Sequence, residues 1–156
     1  MTRDDFALRV TAAQAKLYRV ARSYLRQEAD CLDAISEAIA RAWQKLPSLR
    51  EERYFDTWLT RILIRECINI QRKQRRVTPM ETIPEQSVER GSDSQALCAA
   101  LDELPQKLRT AVTLHYMEGY SVEETARILR VPKGTVCSRL KTAREKLRTL
   151  MKEGMT

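Results

Sequence analysis

The stretch from Ser121 to about Leu150 admits few structures other than two short helices joined by a tight turn. Ser121-Val122-Glu123-Glu124 has the form of a capping box. In that motif a Ser hydroxyl accepts from the backbone three residues on, and a Glu carboxylate reaches back to the cap. The helix so started shows Val122, Thr125, Ala126 and Leu129, and Ala126 is small enough for a close helix crossing. Arg130-Val131-Pro132-Lys133 reads as the turn, with Val131 as a buried plug and Pro132 and Gly134 barring continuation of the first helix. From Thr135 a second helix is expected, its core face formed by Val136, Leu140, Ala143 and Leu147.

The opposite face of that second helix carries Lys133, Thr135, Ser138, Arg139 and Thr142, with Lys141, Arg144, Lys146 and Arg148 around its flanks. Between Lys133 and Lys152 there are seven basic residues and one acidic residue, Glu145. In a helix-turn-helix the N-terminal part of the second helix enters the major groove of duplex DNA. Ser, Thr and Arg there can donate to base edges, and Arg can engage guanine through two bonds. The flanking Lys and Arg suit phosphates. A basic, solvated helix in an ordinary hairpin would have the same charge. The capping box, the small residue, the short turn and the basic face together favour the DNA-binding motif.

Composition agrees with a helical, polyanion-seeking protein. The 156 residues include 28 Lys and Arg against 21 Asp and Glu, for a formal charge of +7. Four Gly and five Pro leave room for long helices. No apolar run is long enough to span a bilayer, and Met1 to Arg9 lacks the apolar core of a secretory signal, so a cytoplasmic protein without membrane insertion is expected. Cys31, Cys67, Cys98 and Cys137 fit no metal or redox spacing and are expected as small buried side chains. His115 is the only histidine, and no nucleophile-base pair or phosphate-cradling glycine loop is visible. Neither an enzyme, a metal site nor a cofactor is expected.

Charge divides the chain into three parts. Residues 1–76 hold 16 basic and 10 acidic groups, residues 77–93 hold one basic and four acidic groups, and residues 94–156 hold 11 basic and 7 acidic groups. The middle part has Pro79, Pro84 and Gly91 and no apolar periodicity, and reads as a flexible acidic linker. An all-α fold follows: two small helical domains, 1–76 and 94–156. In the first, helical spacing is expected over Asp4–Leu25, then in a helix capped by Asp30 with Ile35, Ala38, Ile39, Ala42, Trp43 and Leu46 inward and ended by Pro47. After a polar loop from Ser48 to Arg53, a third helix runs from about Tyr54 to Arg75, with Phe55, Trp58, Leu59, Ile62, Leu63 and Ile70 inward. In the second domain Leu97, Leu101 and Leu104 form a stripe. Pro105 falls in the first turn of a helix with Leu108, Ala111, Val112 and His115, and Gly119 is its C-cap.

Two stretches together resemble bacterial RNA polymerase sigma factors of the extracytoplasmic-function (ECF) type. Leu104-Pro105, Gly119 to Ala126, Val131 to Leu140 and Ala143 to Leu147 are similar to sigma region 4. Asp30, Asp33, Glu37, Arg41, Ala42 and Trp43, with Phe55, Trp58, Leu59, Arg61, Ile62, Asn69 and Arg72, resemble region 2. Ser36 and Asn69 depart from the residues common there, Gln and Asp. The resemblance implies a transcription initiation factor without catalysis of its own. Its partners would be core polymerase, through the β′ coiled coil and the β subunit, promoter DNA and an anti-sigma factor, which could hold it at the membrane. It implies polymerase docking by Asp33 and Glu37. It implies recognition and melting of the −10 element by the Ser48–Arg53 loop with Tyr54, Arg61, Arg65, Asn69, Arg72 and Lys73. It implies −35 recognition by Lys133, Thr135, Ser138, Arg139, Thr142 and Arg144. Two other readings remain open. One is a dimeric repressor or activator on a palindromic site, and the other is a decoy that binds an anti-sigma factor and not DNA. No further domain is expected after Lys152.

Overall fold

A computed structural model describes residues 1–77 and 92–153. Every regular element among the described residues is helical, with no strand, and the chain divides into two compact units, Met1–Glu85 and Gln86–Thr156. The expected acidic linker falls almost wholly on residues 78–91, outside the described residues.

The first unit contains α1 (Arg3–Arg22), α2 (Glu28–Lys45) and α3 (Phe55–Val77), each packed on the other two. Thr2 starts α1 with a capping box: its hydroxyl accepts from the Asp5 amide, and Asp5 reaches back to the Thr2 amide. Phe6, Val10, Ala13, Leu17 and Val20 recur at helical spacing and are buried. The inner face of α2 is made of small residues, Cys31, Ala34, Ala38 and Ala42, which bring its backbone close to its neighbours. Phe55, Leu59 and Leu63 of α3 fill the space between the helices.

Several expectations need correction in this unit. Helix α2 starts at Glu28, after Gln27 and without a side-chain cap. Asp30 is inside the first turn, where it suits the helix dipole, and its Oδ2 accepts from Gln74 Nε2 of α3 at 2.7 Å. Trp43 is 47% exposed. It sits on the rim of the alanine face, its ring 5.1 Å from that of Phe6. Ile39, Leu46, Trp58, Ile62 and Ile70 are half-buried. Pro47 does not end α2 abruptly, because a 3-10 turn, Leu46–Ser48, continues it. A second 3-10 turn, Glu52–Tyr54, leads into α3 at Phe55.

The second unit contains α4 (Ser92–Glu103), α5 (Gln106–Val112), α6 (Val122–Leu129) and α7 (Lys133–Glu153). Helix α7 packs on the other three. Its Val136, Leu140 and Ala143 meet Leu101, Leu104, Ala111, Val112 and Ala126 in one core, with Val131 and Leu147 partly buried at its edge. Leu97 stays exposed. Pro105 is the N-cap of α5, one residue before its first turn. Helix α5 widens into a π turn, Thr113–Met117, and Gly119 at φ +76° then turns the chain.

Candidate nucleic-acid interface

The helix-turn-helix is built from α6, a three-residue turn and α7. Ser121 Oγ accepts from the Glu124 amide at 3.0 Å, and Glu124 Oε1 accepts from the Ser121 amide at 3.0 Å. The buried face of α6 is Thr125, Ala126 and Ile128, with Leu129 half-buried. Arg130 ends α6 in the left-handed conformation, φ 57° and ψ 46°. That is the C-cap geometry usually given to Gly or Asn. The stop is therefore Arg130, and Gly134 lies within the first turn of α7 in ordinary helical backbone. Pro132 precedes α7, where its carbonyl accepts from Thr135 and Val136. Upstream, His115 Nδ1 lies 2.8 Å from the Tyr120 carbonyl. A carbonyl only accepts, so Nδ1 carries the proton of that bond.

The six residues expected at the −35 element all lie on α7, but they are not equivalent. Ser138 and Thr142 are exposed, on the side away from the Val136, Leu140 and Ala143 face. Thr135 and Arg139 are half-buried beside that face. Lys133 is exposed and pairs with Glu123 Oε1 of α6 at 2.7 Å. Arg144 is exposed and donates to Tyr116 Oη at 2.7 Å. Lys141 and Cys137 are also exposed on α7. They recur at i, i+4 spacing, beside Ser138 and Thr142, so Lys141 belongs to the outward face rather than to its flank. Cys137 does not share the buried state of Cys31 and Cys67, and Cys98 is half-buried. Burial pushes the Cys31 thiol up to about 11 and the Cys67 thiol up to about 12.

In the first unit, Tyr54 is exposed at the end of its 3-10 turn, with the Arg53 guanidinium 4.8 Å above its ring. From there Trp58, Arg61, Arg65, Asn69 and Arg72 follow at spacings of three and four residues, which places them on one side of α3. Arg65, Arg72 and Lys73 are exposed, while Trp58, Arg61 and Asn69 are half-buried. Phe55 is core, 1% exposed. Asp33 and Glu37 are exposed on α2. Arg41 is shared: its Nε lies 3.3 Å from Glu37 Oε1 and 2.8 Å from Oε1 of the buried Glu66, the latter an ion pair not aligned as a hydrogen bond. Tyr116, Arg53 and the Glu123–Lys133 pair were not singled out by sequence reasoning. An acidic residue ten positions before a lysine across a helix-turn-helix was the available signal for the pair.

No described helix is long and apolar enough to cross a membrane, and no cluster of potential metal ligands occurs among the described residues.

Helical described residues, with a helix-turn-helix in one unit and a cationic, aromatic helix face in the other, are joined by matches that place the chain in the sigma-70 class. The family model "Sigma-70 region 2" matches residues 10–77, and "Sigma-70, region 4" matches residues 94–147. The RNA polymerase sigma factor SigV of Bacillus subtilis is 30% identical over 152 residues, covering 94% of this chain and 92% of SigV. The ECF RNA polymerase sigma factor SigM of Mycobacterium tuberculosis is 34% identical, covering 87% of this chain and 71% of SigM. The structure of sigma factor RpoE of Bartonella quintana, solved with the anti-sigma factor NepR, is similar at a TM-score of 0.83 and 28% identity, covering 95% of this chain and 97% of RpoE. The chain belongs to the ECF group of RNA polymerase sigma factors: it is a transcription initiation factor and not an enzyme.

Proposed function

We propose that this protein binds core RNA polymerase, directs it to specific promoters, reads the −35 element as duplex through α7 and opens the −10 element with α3 and the turn before it. The observation that carries this reading is the Tyr54–Arg72 stripe. A repressor has no use for two aromatic side chains followed by a run of cations along one helix face, in a unit separate from its helix-turn-helix. Opened DNA offers base faces to stack and phosphates to neutralise, and that stripe has groups for both. Within α7, Ser138, Thr142 and Lys141 suit base edges, and Lys133 and Arg144 suit phosphates. Asp33 and Glu37 present an acidic helix face to polymerase, as electrostatic steering to a basic coiled coil would require. Residues 1–76 would serve docking and melting, 77–93 would be the linker and 94–156 would serve upstream recognition.

Regulation by an anti-sigma factor is part of the proposal. It is supported by the likeness to RpoE, whose structure was solved with NepR. The protein would then act in the cytoplasm once released from that partner, which could hold it inactive at the membrane. The test is run-off transcription with purified core polymerase on the DNA upstream of the protein's own gene. A discrete, sigma-dependent transcript is expected. A homodimer that binds a palindrome alone and yields no transcript would overturn the reading.

A further inference from the structure

The loop between α2 and α3 reaches the solvent-exposed Tyr54 through a single 3-10 turn, Glu52–Tyr54, whose helix bonds fix little by themselves. It is held from outside by α1. Arg9 Nη1 donates to the Glu52 carbonyl at 2.9 Å, and Arg9 Nη2 lies 3.4 Å from Glu52 Oε2. The same guanidinium is 5.6 Å from the centre of the Phe55 ring. One residue thus touches the backbone of the turn, its first side chain and the first residue of α3. Two further links join the same pieces. Lys16 Nζ is 3.6 Å from Asp56 Oδ2, and Phe6 meets Phe55 edge-on with ring centres 5.8 Å apart. Arg9, Lys16, Glu52, Arg53, Phe55 and Asp56 line a single surface cleft. Arg53 and Tyr54, next along the turn, stack on each other, and Arg53 Nε donates to Glu51 Oε2 at 2.6 Å. The turn is clamped at its start and displays its end.

From this geometry we infer that Arg9 is a positioning residue for promoter opening. It fixes the Glu52–Tyr54 turn so that Arg53, Tyr54 and the stripe that follows on α3 meet the melted strand as one preformed surface. Arg9 itself lies just before the residues matched by the region 2 family model. The inference rests on the proposed melting role of that surface. Holding a loop before it binds avoids an ordering cost at the moment of binding. A guanidinium suits the task because it can bond the carbonyl, face the carboxylate and cover the ring at once. Lysine can keep the charge but not the fork.

The test compares the full chain with Arg9→Gln and Arg9→Lys, each with core polymerase, on two templates. One is the intact duplex promoter upstream of the protein's own gene, and the other is the same sequence with a pre-opened −10 bubble. Arg9→Gln is expected to lower initiation on the duplex by about 3- to 10-fold, the order of one charge-assisted hydrogen bond of a half-exposed group. Within about twofold, initiation on the bubble and affinity for core polymerase should stay at wild type. Arg9→Lys should fall between. Glu52→Gln should have a milder effect, because the bond to the Glu52 carbonyl survives. Thymine reactivity to permanganate in the −10 region should fall in parallel on the duplex. Equal initiation by wild type and Arg9→Gln on the duplex overturns the inference, and so does an equal loss on both templates. A wild-type chain that directs no initiation on either template overturns instead the melting role on which the inference rests.

Discussion

Glu123 and Lys133 make a paired neutralisation experiment possible at the start of α7. Their 2.7 Å pair bridges α6 and α7 on an exposed rim. The hydrogen bond from Lys133 holds the Glu123 carboxyl below its ordinary value, and the same bond raises the Lys133 ammonium above its own. The sign of each shift sets the pH window. A lowered carboxylate keeps its pair above its ordinary value of 4.5 and loses it as acid is added. A raised ammonium keeps its pair below 10.5 and loses it as pH rises through the raised value. The pair is therefore intact across the whole neutral range, and the free protein meets DNA with the Lys133 charge already partnered. Glu123→Gln releases that charge and removes a carboxylate from the rim proposed to face DNA, while Lys133→Gln removes the cation. Each phosphate neutralised adds about 0.9 to the slope of log affinity against log salt. Over a fourfold rise from about 50 to 200 mM salt, one phosphate contact therefore changes affinity by about 3.5-fold. Glu123→Gln should tighten binding to any duplex and steepen the slope by up to about 0.9. Lys133→Gln should weaken all sequences alike and flatten the slope by the same amount. Fluorescence anisotropy of a labelled duplex, titrated across salt with and without core polymerase, measures both. Weaker binding by Glu123→Gln, or a wild-type slope for Lys133→Gln, would refute the placement of Lys133 at a phosphate.

Other perturbations follow from the same geometry. Ser121→Ala removes one half of the capping box and should cost about 1 kcal/mol, read as a fall of roughly 4–8 °C in the melting of the second unit by circular dichroism. Arg130→Gly relieves a left-handed residue at about 1–2 kcal/mol and loses about 0.5–1 kcal/mol to chain entropy; a small net rise in melting temperature is expected. Thiol labelling of the native protein should modify Cys137 first and leave the buried, pKa-raised Cys31 and Cys67 unmodified until unfolding. Promoter DNA bound to the holoenzyme should slow the labelling of Cys137, and no protection would argue against the α7 face as the contact.

Local signals survived the passage from sequence to structure better than global ones. The Ser121–Glu124 capping box forms both of its hydrogen bonds, and the Val136, Leu140 and Ala143 stripe is buried. Both depend only on residues within two turns of one another. Trp43 fails the same periodicity argument. Spacing locates the middle of an apolar face but not its width, and an alanine-lined helix buries a narrower strip than its hydrophobic residues suggest. Arg130 in a left-handed backbone has no local signature, since the cap usually announces itself with Gly. The Arg9–Glu52 contact joins residues 43 apart and was illegible for a different reason. Only the packing of α1 against the loop decides which of several arginines reaches it. In the candidate interface, residue types were legible and exposure was not, so Arg139 and Ser138 looked alike in the sequence and differ in the fold.

The acidic face of α2, proposed to dock on polymerase, shows how a surface charge can belong partly to the core. Glu37 and Asp33 are both exposed, but Glu37 shares Arg41 with Glu66, which is 5% exposed. Arg41 is the cation that meets that buried carboxylate, at 2.8 Å. Removing it should leave Glu66 without its counter-ion and cost about 1–3 kcal/mol. Arg41→Ala should therefore unfold the first unit earlier, whatever it does to polymerase. Glu37→Gln leaves the Arg41–Glu66 contact in place and should hardly move the melting temperature. Asp33→Lys makes the cleanest test, because Asp33 makes no ion pair among the described residues. Asp33→Lys should weaken core polymerase binding several-fold, more so at low salt, with melting unchanged. If Asp33→Lys and Glu37→Gln both bind polymerase like the wild type at low salt, the acidic face of α2 is not where the enzyme docks. The Glu37–Arg41–Glu66 chain would then be a device for burying one carboxylate, with no part in recognition.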